Sequence, residues 1–468
     1  MIFKDADELF SSGGIREENE RFLIDDFDLF RQRTVDDLVD TLILSNSRHL
    51  KRLCQWAAYE AALKFGAVPA SINGLYEARG RGQLSVSFTV PAMNIRTLTY
   101  EIARAAFRSA AKINAAAFIF EIARSEIGYT NQRPIEYVSV ILLAAIKEGY
   151  RGPLFFQGDH FRVSAPDYQR GRQAELDKLN KLVKESVDVG FYNVDIDASA
   201  LVDLSKGDLD GQQRSNYEIS ADLTKFLRDI QPPGVDISIG AEIGEVGGRN
   251  TTSEEIRVFM QGYLDRLAGT KGISKLSIQT GTTHGGVVLP DGSIARVKID
   301  FDTLRELSRL AREDYKLAGC VQHGASTLPN EAFHMFPACN CAEVHLATQF
   351  QNMAYDYFPI SLKEQIYNWL RTNCSLERLP EQTDDQFIYK TRKKALGPFK
   401  KQIYSLSRDL RLKISRAMEA EFDFLFAQLN VANTRSLVEE HVKTVPIFKS
   451  KLEFLSEESD LGALEGAD

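Results

Sequence analysis

Three of the seven histidines stand close to a glycine, in Phe156-Gln-Gly-Asp-His160, Gly281-Thr-Thr-His-Gly285 and Val321-Gln-His-Gly-Ala-Ser326. Three neutral imidazoles with a fourth position left open form a ligand set for catalytic zinc or another divalent metal. The nearby glycines let backbone or ligand approach closely. Any one such histidine is more often a hydrogen-bonded core or loop residue than a ligand. Three at equivalent places in a repeating architecture favour a shared metal. Carboxylates accompany them: Asp159, directly before His160; Asp195 and Asp197; and Glu242 and Glu245 in Glu242-Ile-Gly-Glu245-Val-Gly-Gly248. Facing a metal and an anion, such groups ionise normally and can act as general bases; their plainer role is solvation or pairing with Lys or Arg. Strand alternation predicts that Asp159 and His160 point to different sides, leaving Asp159 for substrate while His160 holds metal. Gly324-Ala-Ser326-Thr327 and Thr348 offer backbone N–H groups and hydroxyls suited to phosphate.

These residues need a scaffold that brings them together. Between residues 84 and 348, short β-rich runs alternate with helical stretches. The eight candidate strands are Leu84–Val90, Ala115–Ile122, Pro153–Gln157, Phe191–Asp197, Asp236–Glu242, Ser274–Thr280, Gly319–Gln322 and Ala342–Leu346. Helical patterns fall between them: Thr97–Ala111, Ile135–Lys147, Tyr168–Val189, Ser220–Ile230, Glu254–Ala268, Asp302–Leu317 and a short one near Asn330–Met335. Strand–helix alternation implies parallel pairing with helices outside. Eight such units predict closure into a (β/α)8 TIM barrel, whose active-site residues gather at the C-terminal ends of the strands. His160, His284 and His323 follow the third, sixth and seventh strands.

Outside the barrel the texture changes. Residues 1–80 read as an N-terminal helical extension, with apolar residues at helical spacing from Thr34 to Phe65. Residues 81–360 form the barrel domain and 361–468 a C-terminal helical region. The latter carries a basic cluster and a strong amphipathic helix from Tyr404 to Leu429. Lys393, Lys400 and Arg408 are candidates for a second phosphate contact, or simply a solvated basic face. The net charge of −8 gives no long-range pull on nucleic acid or anionic membrane. The N-terminus has no signal-peptide pattern, and no run approaches the ~20 apolar residues needed to span a membrane. Five irregularly spaced cysteines read as reduced thiols of a cytoplasmic protein. Cys339-x-Cys341 lacks the second pair that a zinc site of its own would need.

The motif order Asp-His, Glu-Ile-Gly…Gly-Gly, Gly-Thr-x-His-Gly and His-Gly-x-Ser resembles the class II, zinc-dependent fructose-bisphosphate aldolases and their ketose-bisphosphate aldolase relatives. Pro91-Ala-Met-Asn-Ile95 is similar to the family's Pro-Ala-Phe-Asn-Val element, which puts Asn94 among the substrate-binding candidates. The resemblance spans residues 84–360, and the helix from Tyr404 also looks like the family's C-terminal helix. It implies that His160, His284 and His323 are zinc ligands. It further implies that Asp159 moves a proton to and from the C4 hydroxyl, and that Glu242 lies near the metal's alternative position. Gly285 and Gly324 match backbone positions that help bind a monovalent cation and a phosphate. Ser326 and Thr348 match phosphate-binding residues. The implied reaction is reversible aldol cleavage of a phosphorylated ketose to a triose-phosphate ketone and an aldehyde, by a homo-oligomer.

Two departures stand out. The family has Glu-Asp shortly after the Gly-Gly, and that Glu exchanges the enediolate proton; here the sequence reads Arg249-Asn250-Thr251-Thr252. The motif leaves that step unassigned, with Glu245 the candidate acid and Glu254 and Glu255 the others nearby. On the eighth strand the family's Asn-Ile-Asp-Thr is His345-Leu346-Ala347-Thr348, so His345 takes a position that grips substrate hydroxyls. The phosphate end is kept and the sugar-reading end is altered. Gly128–Pro134 and Gly158-Asp-His160 also look like the non-catalytic companion subunit of tagatose-bisphosphate aldolase. A non-catalytic barrel subunit, or another zinc-dependent lyase or isomerase of sugar phosphates, are therefore the alternatives.

Overall fold

The computed structural model of the chain describes residues 1–11, 14–18, 21–84, 86–244, 249–281, 289 and 298–456. Eight strands form the barrel: β1 Val90–Asn94, β2 Ile119–Ala123, β3 Gly152–Arg162, β4 Asn193–Asp197, β5 Ser238–Glu242, β6 Lys275–Ile278, β7 Cys320–Gln322 and β8 Glu343–Leu346. Each pairs in parallel with the next, and β8 returns to β1 through Glu343↔Val90 and Leu346↔Met93, which closes the ring. The (β/α)8 reading is thus correct. The first strand lies further along than expected: it starts at Val90, where the run from Leu84 was expected to end. A short parallel strand, Ala67–Pro69, adds to the N-terminal end of β3.

The outer helices follow the predicted stretches with local changes. Tyr168–Val189 is two helices, Ala165–Arg170 and Arg172–Asp188, broken at Gly171. The helix before β5 starts at Leu209, capped by Asp208, well before the predicted Ser220. The C-terminal helix runs Arg408–Gln428, because the Ser407 side chain accepts from the Leu410 N–H and sets its start. Its Ile414, Met418, Phe422 and Leu425 are buried, and it packs on Thr99–Lys112. The N-terminal extension contains a hairpin, Ile15–Glu18 with Arg21–Ile24, that the helical reading did not anticipate. Phe22 anchors it edge-on against Trp56, ring centroids 5.8 Å apart. No described helix is long and apolar enough to cross a membrane.

The barrel interior is unusual for the fold, which normally fills it with branched apolar side chains. Glu121, Gln157, Lys275 and Glu343 are 0% exposed. The Lys275 ammonium donates to Gln157 at 2.7 Å, to Asp195 at 3.0 Å and to Glu343. The Tyr76 hydroxyl donates to Glu343 from below. Gly240 on β5 makes room for this cluster, since a Cβ there would lie 2.3 Å from an Asp195 carboxylate oxygen. Burial opposes the charge on Lys275, but Asp195 and Glu343 outweigh it and raise its pKa. Lys275→Met leaves buried carboxylates without their cation. It is expected to destabilise the fold by about 3–5 kcal/mol, read as a lowered urea midpoint with unchanged slope.

Candidate active site

A β-bulge builds the site. Between Gly158 and Phe161, β3 carries one residue more than β4 opposite, pairing Gly158↔Val194 and then Phe161↔Ile196. His160 sits inside the bulge at φ +40°, a backbone state uncommon for a residue with a Cβ. The Phe161 ring closes over Gly158, where a Cβ would meet it at 2.6 Å. The bulge cancels the strand alternation. Asp159 and His160 both face the barrel mouth, correcting the expectation that they diverge.

His160 Nε2 lies 3.0 Å from His323 Nδ1, and the two rings are 4.1 Å apart. His160 Nδ1 meets Glu242 at 2.9 Å and Asp197 at 3.1 Å. His323 Nε2 meets the Ser277 hydroxyl at 3.1 Å. Two nitrogens each about 2.0–2.1 Å from a tetrahedral zinc lie roughly 3.4 Å apart. The His160 and His323 nitrogens therefore need only a few tenths of an ångström of opening to share an ion. Each ring's second nitrogen is already oriented by an oxygen, as metal-ligating imidazoles are. The donor set fits a divalent metal, with Asp159 beside both rings. His284, Gly285 and Glu245 lie outside the described residues. Glu254 lies in the first turn of the helix Ser253–Leu267, and Glu255 caps it with Thr252 and accepts from Arg249.

Asp159 is 5% exposed and held on both oxygens, by Asn94 Nδ2 at 2.8 Å and by His345 Nδ1 at 3.0 Å. Burial alone would raise its pKa, but His160 and His345 hold the carboxyl far below its usual range. Burial, and then Asp197, push Glu242 up to about 7. Asn94 also donates to Glu126, which accepts from Arg96 at 2.6 Å. At the opposite corner, Gly324 adopts φ +69° and leads into the turn Ala325–Thr327. The Ser326 hydroxyl oxygen accepts from the Ala347 N–H at 2.8 Å, which leaves its O–H directed elsewhere. Thr348 opens the helix Thr348–Tyr357, with Arg96 3.4 Å from its hydroxyl.

Asn94, Asp159, His160, His323, Ser326 and Thr348 line one cavity of about 1020 Å³, with Glu242 and Asp197 behind His160. It runs outward from the histidines over Arg96, Arg162 and Tyr129 to Tyr389 and Lys393 of the C-terminal region. Of the three basic residues singled out there, Lys393 lines this cavity. Lys400 pairs with Glu136 outside it, and Arg408 is not among the lining residues. Arg96, Arg162, Glu126, Glu121, Lys275 and Glu343 were missed by sequence reasoning. The charges at 121, 275 and 343, inside otherwise apolar strands, were the available signal.

The fold and the cluster of imidazoles and carboxylates at the strand ends define a (β/α)8 barrel protein with groups that could hold a metal ion. The class-II fructose-bisphosphate aldolase family model matches residues 85–409. The chain belongs to the class-II fructose-bisphosphate aldolase family, an aldolase-type, metal-dependent enzyme family. Among solved structures, it is similar to a candidate fructose-1,6-bisphosphate aldolase of Coccidioides immitis, with 18% identity and TM-score 0.48, covering 79% of this chain and 99% of that one. A fructose-bisphosphate aldolase of Campylobacter jejuni gives 17%, 0.47, 79% and 98%. A Sinorhizobium meliloti 1021 protein described as a probable tagatose 6-phosphate kinase gives 12%, 0.52, 75% and 99%. Among curated proteins, none matches significantly.

Proposed function

We propose that this protein is a zinc-dependent aldehyde-lyase that reversibly cleaves a phosphorylated ketose into a triose-phosphate ketone and an aldehyde. The observation that supports this most is the meeting of Asp159, His160 and His323 in one cavity with the corner formed by Gly324, Ser326 and Thr348. In this reading His160, His284 and His323 hold the ion, and Glu242 orients His160 or takes the ion in a second position. When bound, the divalent cation would supply the charge that polarises the ketose carbonyl and steadies the enediolate.

The protein's own groups do the rest. Asp159, ionised and clamped at the mouth, accepts the hydroxyl proton as the carbon–carbon bond breaks, and returns it in the reverse direction. Ser326, Thr348, the Gly324 and Gly285 backbone and Arg96 surround the phosphate, with a monovalent cation as a further partner there. Glu245 is the candidate for proton exchange at the enediolate carbon. The protein acts in the cytoplasm as a homo-oligomer on a small phosphorylated sugar.

A panel of ketose mono- and bisphosphates, assayed for release of dihydroxyacetone phosphate with and without EDTA, tests this reading. EDTA-sensitive release from at least one member is expected; no release from any member would refute it. Ser326→Ala removes one charge-assisted hydrogen bond, worth about 1.5–3 kcal/mol. For the substrate so found, it is expected to raise KM by about tenfold or more with a smaller change in kcat.

A further inference from the structure

His345 stands where the resemblance puts a substrate-gripping residue, yet its ring has nothing left to offer a substrate. Nδ1 lies 3.0 Å from Asp159 Oδ1 and 3.2 Å from Glu121, while Nε2 lies 2.6 Å from Glu343 and 3.5 Å from Asp195. The ring meets His323 in a T-shaped contact, centroids 4.1 Å apart. A neutral imidazole carries a single N–H, so carboxylates against both nitrogens require a doubly protonated ring or a proton held by a carboxyl. In either case both nitrogens are committed.

We infer that His345 is a positioning residue for Asp159, one arm of a clamp from the neighbouring strands β8 and β1, each of which holds one oxygen of the catalytic carboxylate. The first arm rises from the buried core: Lys275 and Tyr76 hold Glu343, Glu343 holds His345, and His345 holds Asp159 Oδ1. The second crosses from β1: Arg96 holds Glu126, Glu126 holds Asn94, and Asn94 holds Asp159 Oδ2. Asp159 sits in a bulge, where the pleat does not fix a side chain's direction, so its aim depends on these two contacts. The cation buried in the first arm explains how several carboxylates coexist under the mouth. Substrate reading then passes from β8 to residues further out in the cavity, among them Arg162 and Tyr129.

This inference rests on Asp159 being the aldol base, and the test separates the two. Exchange of the C3 proton of dihydroxyacetone phosphate with deuterium oxide is the last step of the proposed reaction run backwards. It needs the metal and a carbon acid–base group but not Asp159. Cleavage of the ketose phosphate needs Asp159. His345→Gln is expected to slow cleavage by about 10–100-fold while exchange falls less than about threefold, with metal content unchanged. Asp159→Asn combined with His345→Gln is expected to be no slower than Asp159→Asn alone, since both act on one group. Glu343→Gln, which leaves His345 in place, is expected to slow cleavage in the same selective way, and it serves if His345→Gln fails to fold. Equal loss of exchange and cleavage, a raised KM at unchanged cleavage kcat, or multiplicative losses in the double variant would each overturn the inference. If the unaltered protein neither exchanges nor cleaves, the aldolase reading itself has failed.

Discussion

His323→Ala is expected to leave the protein without its metal and without measurable cleavage. The His323 ring meets His160 through Nδ1, Ser277 through Nε2 and His345 in a T-shaped contact. Removing the ring deletes a metal donor and also frees His160, whose Nε2 would otherwise be aimed at the same point. Loss of an outer-shell partner typically costs about 10–100-fold in metal affinity. Loss of a donor should exceed that, seen as substoichiometric metal by mass spectrometry after dialysis. His334→Ala is the matched control. His334 is exposed and outside the metal-capable groups among the described residues, and its variant should keep both metal and turnover. A His323→Ala protein that retains metal and activity would exclude His323 from the site.

Asp159→Asn is expected to keep the metal and lose cleavage by about 10²–10⁴-fold, the range general-base removal produces. The substitution is close in shape but mismatched in hydrogen bonding. Asn94 Nδ2 is a donor to one oxygen of Asp159, and His345 Nδ1 faces the other. An amide offers one oxygen where the carboxylate offers two, so its NH2 must face either Asn94 or His345, and the contacts that aim the side chain change as its charge is lost. Asp159→Ala avoids that conflict and isolates the loss of the base. The two variants should therefore fall in rate together while binding metal equally. Retained turnover in both would remove Asp159 from the mechanism.

Much of the scaffold could be read directly. Buried parallel strands are short runs rich in apolar residues flanked by glycine and polar turns, and seven of the eight were located as such. The first was misplaced because residues 84–89 have the same texture as a strand yet precede the register set by β8, which pairs from Val90. The hairpin at Ile15–Ile24 was hidden because four-residue strands are too short to show a period. In the site, His160, His323 and Asp159 were legible from spacing and motif order. The bulge was not, because nothing in Gly-Asp-His marks a histidine at positive φ. That one backbone torsion turned two predicted faces into one. The pairing of Lys275 with Glu343 was also out of reach. Each charge shows in its strand, but which strands face each other across the interior is known only once the ring is closed. Motif matching assigned His345 to substrate; its partners on Asp159 and Glu343 are contacts from β3 and from its own strand two residues earlier, which a linear motif does not encode.

The central claim, a metal-dependent aldolase, is tested most directly by titrating zinc into protein stripped with EDTA while following cleavage of the ketose phosphate identified in the substrate panel. The account predicts no turnover in the stripped protein and a linear rise to a plateau at about one zinc per chain. Full turnover in stripped protein, or tight zinc binding with no cleavage at any occupancy, would contradict it.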